Sequence, residues 1–234
     1  MDTRKGDQTQ RSPDGEPHGR SGQGFRRGEV RSGGEALSVS GKSVLRGEGT
    51  VYMLTAEAAR GIDRLCAERY GLPGLVLMEN AAVHLCDVVL GAVEPMGDPL
   101  VVIFCGPGNN GGDGLALARH LDNAHVRLVV VCSGDPAQLR GDAGVQYRIV
   151  KEMGIEVRHT GGAGAGEGAE GVAGLIESIV REHGPIDVAV DALLGTGLTR
   201  SVDGVIKSLI ERINKLRASA AVVVAVDVPS GMDA

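Results

Sequence analysis

Aromatic side chains are almost missing from this 234-residue chain, which has no Trp, 2 Phe and 3 Tyr. Proteins that grip single-stranded nucleic acid stack bases on such rings over a basic groove, whereas here the rings are scattered and the net charge is −6. Nucleic-acid binding is set aside. Cysteine is sparse too: Cys66, Cys86, Cys105 and Cys132 form no CxxC pair and have no His at ligand spacing, which excludes a zinc cluster and a disulfide framework. Reduced, mostly buried thiols are the expectation. No apolar run approaches the roughly 20 residues that span a bilayer, and the N-terminus is polar. The expectation is therefore no membrane anchor and a cytoplasmic location.

What is present is aliphatic. With 42% hydrophobic residues, the chain can bury a core of Val, Leu, Ile and Ala in one large domain or two small ones. Residues 1–50 stand apart, with 11 Gly, 9 Lys or Arg, 7 Asp or Glu and only 8 apolar residues. Such a segment buries too little surface to offset its ordering entropy and reads as a disordered tail. It is either passive or an extension of the reading frame upstream of a start near Met53. The domain is placed at 51–234.

From Tyr52 onward the pattern is regular. Thr55 caps a helix running through Arg69, and a second helix runs from about Val76 to Leu90 with Leu77, Met78, Ala81, Ala82, Leu85, Val88 and Val89 as its stripe. Short apolar runs follow at 100–105, 126–132, 155–157, 186–190 and 221–226. Helical stretches separate them near 114–121, 137–153, 172–182 and 204–216. Continuous apolar strands alternating with amphipathic helices specify a doubly wound α/β domain, a mostly parallel sheet with helices on both faces. The glycine-rich stretch 161–174 reads as a mobile loop, either a lid or a tolerated insertion.

Ligands of such sheets bind beyond the carboxyl ends of the strands. Three loops qualify: GPGNNGGDG (106–114), DALLGTGLTRS (191–201) and DVPSG (227–231). In the first, Gly106, Gly108 and Gly111 match G-x-G-x-x-G between strand and helix, where backbone can approach a phosphate. Asn109 and Asp113 there either cap the helix or serve a ligand. The second loop offers phosphate donors in Gly195, Thr196, Gly197, Thr199 and Ser201, while Arg200 is a phosphate contact or a solvated charge. Two buried strands end in carboxylates, Asp191 and Asp227, close to Asn109, Asn110 and Asp113. Carboxylate, amide and hydroxyl oxygens together suit a hard cation.

These three motifs, in this order and preceded by LTAEAARGIDRLCAERYGLPGLVLMENAA, resemble the NAD(P)H-hydrate epimerase family, the YjeF N-terminal domain, over about Met53 to Ala234. The resemblance implies a Rossmann-like fold and interconversion of the R and S forms of hydrated NADH and NADPH (NADHX, NADPHX). The partner would be a dehydratase, separate or fused, acting on the S form. It implies that Asn109, Asn110, Gly111, Gly112 and Asp113 contact the substrate, as do Gly195, Thr196, Gly197, Leu198, Thr199, Arg200, Ser201 and Asp227. A potassium ion would be held by Asn110, Asp191 and Ser230. Inversion at a carbon bearing a hydroxyl beside a ring nitrogen needs that hydroxyl to leave and water to return on the other face. Asp227 is expected to do this work, as acid toward the first and base toward the second.

Family members continue past the third motif with another strand and helix, so the domain is expected to be truncated after Ala234. A homodimer through the helices before Gly91 is a prior from the general frequency of symmetric dimers. Two other classes remain at this stage. One is a nicotinamide-dependent oxidoreductase, which needs an acidic residue at the end of the second strand, where Asp135 after Cys132 is a loose match. The other is a silent nucleotide-binding or scaffold module.

Overall fold

The computed structural model describes residues 43–46, 49–52, 55–161, 168–198, 201–219 and 221–232. All belong to one compact unit, Val39–Ala234. The first elements, β1 (Ser43–Arg46) and β2 (Gly49–Tyr52), pair as an antiparallel hairpin with Ser43 opposite Tyr52. The stretch read as a tail therefore becomes strand before its end at 50, where Val44, Leu45, Thr50 and Val51 favour extended backbone. The rest of that stretch, residues 1–42 and 47–48, lies outside the described residues.

Two helices come next, α1 (Ala56–Tyr70) and α2 (Gly74–Val93). Thr55 caps α1 as expected, its hydroxyl accepting from the Ala58 amide at 3.2 Å, and Gly71 closes the helix at φ 64°. The alternation that follows is β3 (Leu100–Cys105), α3 (Asn109–Asn123), β4 (Arg127–Cys132), α4 (Gly141–Glu152), β5 (Val157–His159), α5 (Gly168–His183), β6 (Val188–Ala192), α6 (Gly204–Ala218) and β7 (Val222–Ala225). A 3-10 turn, Pro136–Gln138, precedes α4.

The five later strands are all parallel, in the order β5-β4-β3-β6-β7. The chain starts in the middle of the sheet, winds outward to β5, then returns across β3 to β6 and β7. This is the doubly wound order, and its reversal between β3 and β6 opens a crevice at the carboxyl ends of those strands. One face of the sheet is covered by α2, α3 and α4, which bring Val89, Leu117 and Val150 onto Val101, Ile103 and Val130. The other is covered by α5 and α6, which bring Ile176, Ile179 and Leu209 onto Val102, Phe104 and Ala189.

Two expectations change here. Helix α5 begins at Gly168, so half of the glycine-rich stretch is helical. Val172, Ile176 and Ile179 are buried at helical spacing, and that burial outweighs the poor helix propensity of glycine. Residues 162–167 of the stretch lie outside the described residues. Helix α2 is also longer than the sequence pattern suggested: its 20 residues are long and apolar enough, by length and composition, to cross a membrane. Met78, Ala82, Cys86, Val89 and Val93 nonetheless face the protein core, while Val76, Val83 and Val88 are exposed.

Candidate active site

A cleft of about 850 Å³ lies at the carboxyl ends of β3, β6 and β7. Its floor is built from the turn after β3 and the first turn of α3. Gly106 and Gly111 make that turn possible: a Cβ on Gly106 would sit 1.8 Å from the Leu193 carbonyl oxygen, and one on Gly111 would sit 2.0 Å from the Gly106 carbonyl oxygen. These glycines are required by backbone packing, independently of any phosphate.

Helix α3 starts at Asn109, five residues before the position expected from sequence, with Gly108 as its N-cap and no side chain capping it. The capping role considered for Asn109 and Asp113 is thereby ruled out. The first amide bonded within the helix is that of Gly112, to the Gly108 carbonyl at 3.1 Å. The amides before it have no partner within the helix, and the helix dipole there favours an anion.

The second loop closes the cleft from above. Thr196 is held from both sides: its amide donates to Asp227 Oδ2 at 2.8 Å, and its carbonyl accepts from Arg60 Nη1 at 3.0 Å. Gly195 packs tightly here, since a Cβ would lie 2.6 Å from Asp227 Oδ2 and 3.5 Å from Asn110 Cγ. Both polar atoms of the Asn110 carboxamide, Oδ1 and Nδ2, are buried with no hydrogen-bond partner among the described residues. A buried amide left this way costs free energy unless something else bonds to it.

Of the substrate residues implied by the resemblance, Asn109, Asn110, Asp113, Gly195, Thr196, Gly197, Leu198 and Asp227 line the cleft. Gly111 and Gly112 lie behind its surface, the latter against Met78. Ser201 is exposed and is not among the lining residues. Thr199 and Arg200 lie outside the described residues.

Asp191 is placed differently from the sequence reading. It falls inside β6, 5% exposed, and is engaged by three donors: the Ser230 amide (2.8 Å), the Ser230 hydroxyl (2.6 Å) and the Leu193 amide (3.2 Å). Ser230 Oγ in turn accepts from the Leu194 amide at 2.8 Å. This pair ties the second and third loops together beneath the cleft.

Electrostatically the cleft is acidic, with Asp63, Asp113, Asp142 and Asp227 among its lining residues against Arg60. Burial pushes the Asp113 carboxyl up to about 7, helped by the charges of Asp227 and Asp63. Sequence reasoning missed Arg60 and Asp63, which α1 brings over the cleft. Their spacing of three residues on a polar helix face looks the same as that of any solvated pair. It also missed the apolar wall from α2, where Leu77, Met78, Ala81 and Leu85 border the site.

A polar network holds that wall in place. Glu79 on α2 accepts from Gln146 Nε2 at 2.7 Å, lies 3.1 Å from His120 Nε2 and pairs with Arg119, thus joining α2 to α3 and α4. Burial raises the Glu79 pKa, but the bonds from Gln146, Arg119 and His120 outweigh it and the net shift is downward. The stabilisation is therefore present above the ordinary carboxylate range and is lost on acidification. Glu79→Ala, which takes the acceptor from Nε2 of the fully buried Gln146, is expected to cost roughly 2 kcal/mol at pH 7 and less at pH 3, as read by urea unfolding.

Residues 74–234 match the family described as YjeF-related protein N-terminus. The chain belongs to that family. It is 37% identical over 175 residues to an NAD(P)H-hydrate epimerase of Pirellula staleyi, covering 75% of this chain and 70% of that one. It is 35% identical over 180 residues to an NAD(P)H-hydrate epimerase of Rhodopirellula baltica, covering 77% of this chain and 66% of that one. A bifunctional NAD(P)H-hydrate repair enzyme of Salinibacter ruber is 37% identical over 182 residues, and there the match covers 77% of this chain but only 32% of the relative. The chain thus spans about two thirds of the R. baltica protein and about a third of the bifunctional one. The solved structure of yeast ynu0 superposes with a TM-score of 0.65 at 24% identity, over 78% of this chain and 72% of that one, and shares the fold.

Proposed function

We propose that this protein is an NAD(P)H-hydrate epimerase, interconverting the R and S forms of hydrated NADH and NADPH and so serving a dehydratase, separate or fused, that consumes one of them. The observation that carries this reading is the placement of two carboxyls, Asp113 and Asp227, in one cleft, with burial and the neighbouring Asp227 charge holding the proton on Asp113. Asp113 keeps its proton to about pH 7 and is the acid toward the departing hydroxyl. The carbon–oxygen bond breaks, water leaves, and the ring-nitrogen lone pair forms the carbon–nitrogen double bond. Asp227, oriented by the Thr196 amide, takes the proton from the water that adds to the opposite face. Asp113 has then given one proton and Asp227 taken one, and exchange with solvent restores both carboxyls, so the reaction has no net redox or acid-base change. The sequence reading assigns both steps to Asp227; in this proposal Asp227 keeps the base step and the acid step passes to Asp113.

The pyrophosphate fits the uncapped amides of α3. The donor set of Asn110, Asp191 and Ser230 suits a potassium ion by its chemistry: all three offer oxygens, and the Asn110 amide oxygen is buried with no partner among the described residues, while Asp191 and Ser230, bonded to each other, lie behind the lining of the acidic cleft. Held by Asn110, Asp191 and Ser230, the ion would supply positive charge against the carboxylates of the cleft. The other acidic cluster, Glu156, Glu182 and His183 on and beside β5 and α5, is spanned by Arg158 and reads as an ion-pair network.

The test is R-to-S conversion followed by NMR or chromatography, with and without potassium. Conversion stimulated by potassium is expected, and its absence in a well-folded sample overturns the reading. Asp191→Ala should abolish the potassium response. Ser230→Ala, a smaller change, should weaken it, and an unchanged response in both counts against this ligand set.

A further inference from the structure

The residues assigned to the substrate lie at the ends of β3, β6 and β7, yet a dinucleotide has two halves. A second pocket, of about 430 Å³, lies at the ends of β3 and β4 and is within the roughly 300–1,000 Å³ range of ligand sites. Pro107 belongs to the walls of both cavities, so the two meet at the turn before α3. The uncapped first turn of that helix lies at the junction, where a pyrophosphate joining two halves would pass.

The pocket's chemistry suits a nucleoside. Leu139 and Ile206 offer apolar surfaces to a base, while Ser133 and Gln138 offer polar groups to a sugar. Asp135 is held ready by its own 3-10 turn, accepting from the Ala137 amide at 3.0 Å and from Gln138 Nε2 at 3.4 Å. An acidic group after the second strand of a doubly wound sheet is placed to meet ribose hydroxyls, and a nearby arginine to meet a phosphate on them. Exposed Arg140 stands at the rim.

We propose that this second pocket binds the adenosine half of the hydrated dinucleotide, and that Arg140 takes the additional phosphate of the NADPH form. The assignment rests on the dinucleotide reading above. The site thereby divides its labour: chemistry occurs in the larger cleft, and the smaller pocket grips the part of the substrate that does not react, so its effect falls on KM.

Gly134 gives the test, because a side chain there meets open space within the pocket wall. Gly134→Trp, with Gly134→Leu as a second variant, should fill the pocket. Two readouts are used: binding of ADP-ribose by calorimetry, and epimerisation kinetics on NADHX against the hydrate of reduced nicotinamide mononucleotide, which lacks adenosine. The expected result is lost ADP-ribose binding and a roughly tenfold higher KM for NADHX, with the mononucleotide hydrate unaffected. Equal changes for the two substrates, no change, or no binding of ADP-ribose to the wild type overturns the proposal. If the wild type binds ADP-ribose, Gly134→Trp does not, and neither substrate is epimerised, the pocket assignment stands and the epimerase reading falls. Arg140→Glu should raise KM for NADPHX and leave that for NADHX unchanged, and an equal effect on both removes Arg140 from the proposal.

Discussion

Asp227→Asn is expected to slow epimerisation by about a thousandfold, within the roughly 10²–10⁴ range of general acid-base catalysis, while leaving the thermal midpoint nearly unchanged. The carboxamide oxygen of Asn can still accept from the Thr196 amide, so the 2.8 Å bond that orients the loop survives. What is lost is the ability to take a proton from water. Asp227→Ala removes the loop bond as well and should raise KM in addition to lowering kcat. Measured turnover of Asp227→Asn within a factor of about two of the wild type, in a folded sample, sinks the assignment of the base.

Asp113→Asn is expected to make the protein more stable and less active. A carboxyl titrating near 7 in the fold ionises near 4 once unfolded. Between those values the native state binds the extra proton, so stability falls as pH rises from about 4 to about 7 and stays low above that. Asn removes the penalty. Denaturant unfolding should show a gain of about 2 to 4 kcal/mol at pH 8 and almost none at pH 4. A gain of the same size at both values would mean that the effect does not come from the buried charge. Catalysis should suffer in the same variant, because the acid is gone, and wild-type turnover should decline as pH rises through about 7. Stability is thus given up at this position for a proton held in the site.

Much of this was legible along the chain. The runs at 100–105 and 126–132 read as buried strands and became β3 and β4 almost residue for residue, because a strand covered on both faces must be apolar throughout. The three loops were legible for the complementary reason, since polar residues and glycines break that apolar rhythm only where strands end. Helix α3 was harder: the sequence NNGGDG looks like a loop by propensity, but Gly111 and Gly112 are helical because only they fit against Gly106 and Met78. Asp191 was read as following its strand, yet a shift of two positions places it inside β6, buried and bonded to Ser230 behind the cleft.

By itself, then, the amino-acid order determined the parallel doubly wound sheet, the edge at which ligands bind and the residue types gathered there, since these follow from local periodicity and from where it is interrupted. Only the tertiary structure decided which carboxyl keeps a proton. The pKa of Asp113 depends on burial and on Asp63 and Asp227, residues 50 positions before it and 114 after it, and no local pattern records such a meeting. The same holds for Arg60 above Thr196 and for the second pocket between the ends of β3 and β4. Distances across a fold are set by packing, and packing is where charge, cavity and catalytic role are assigned.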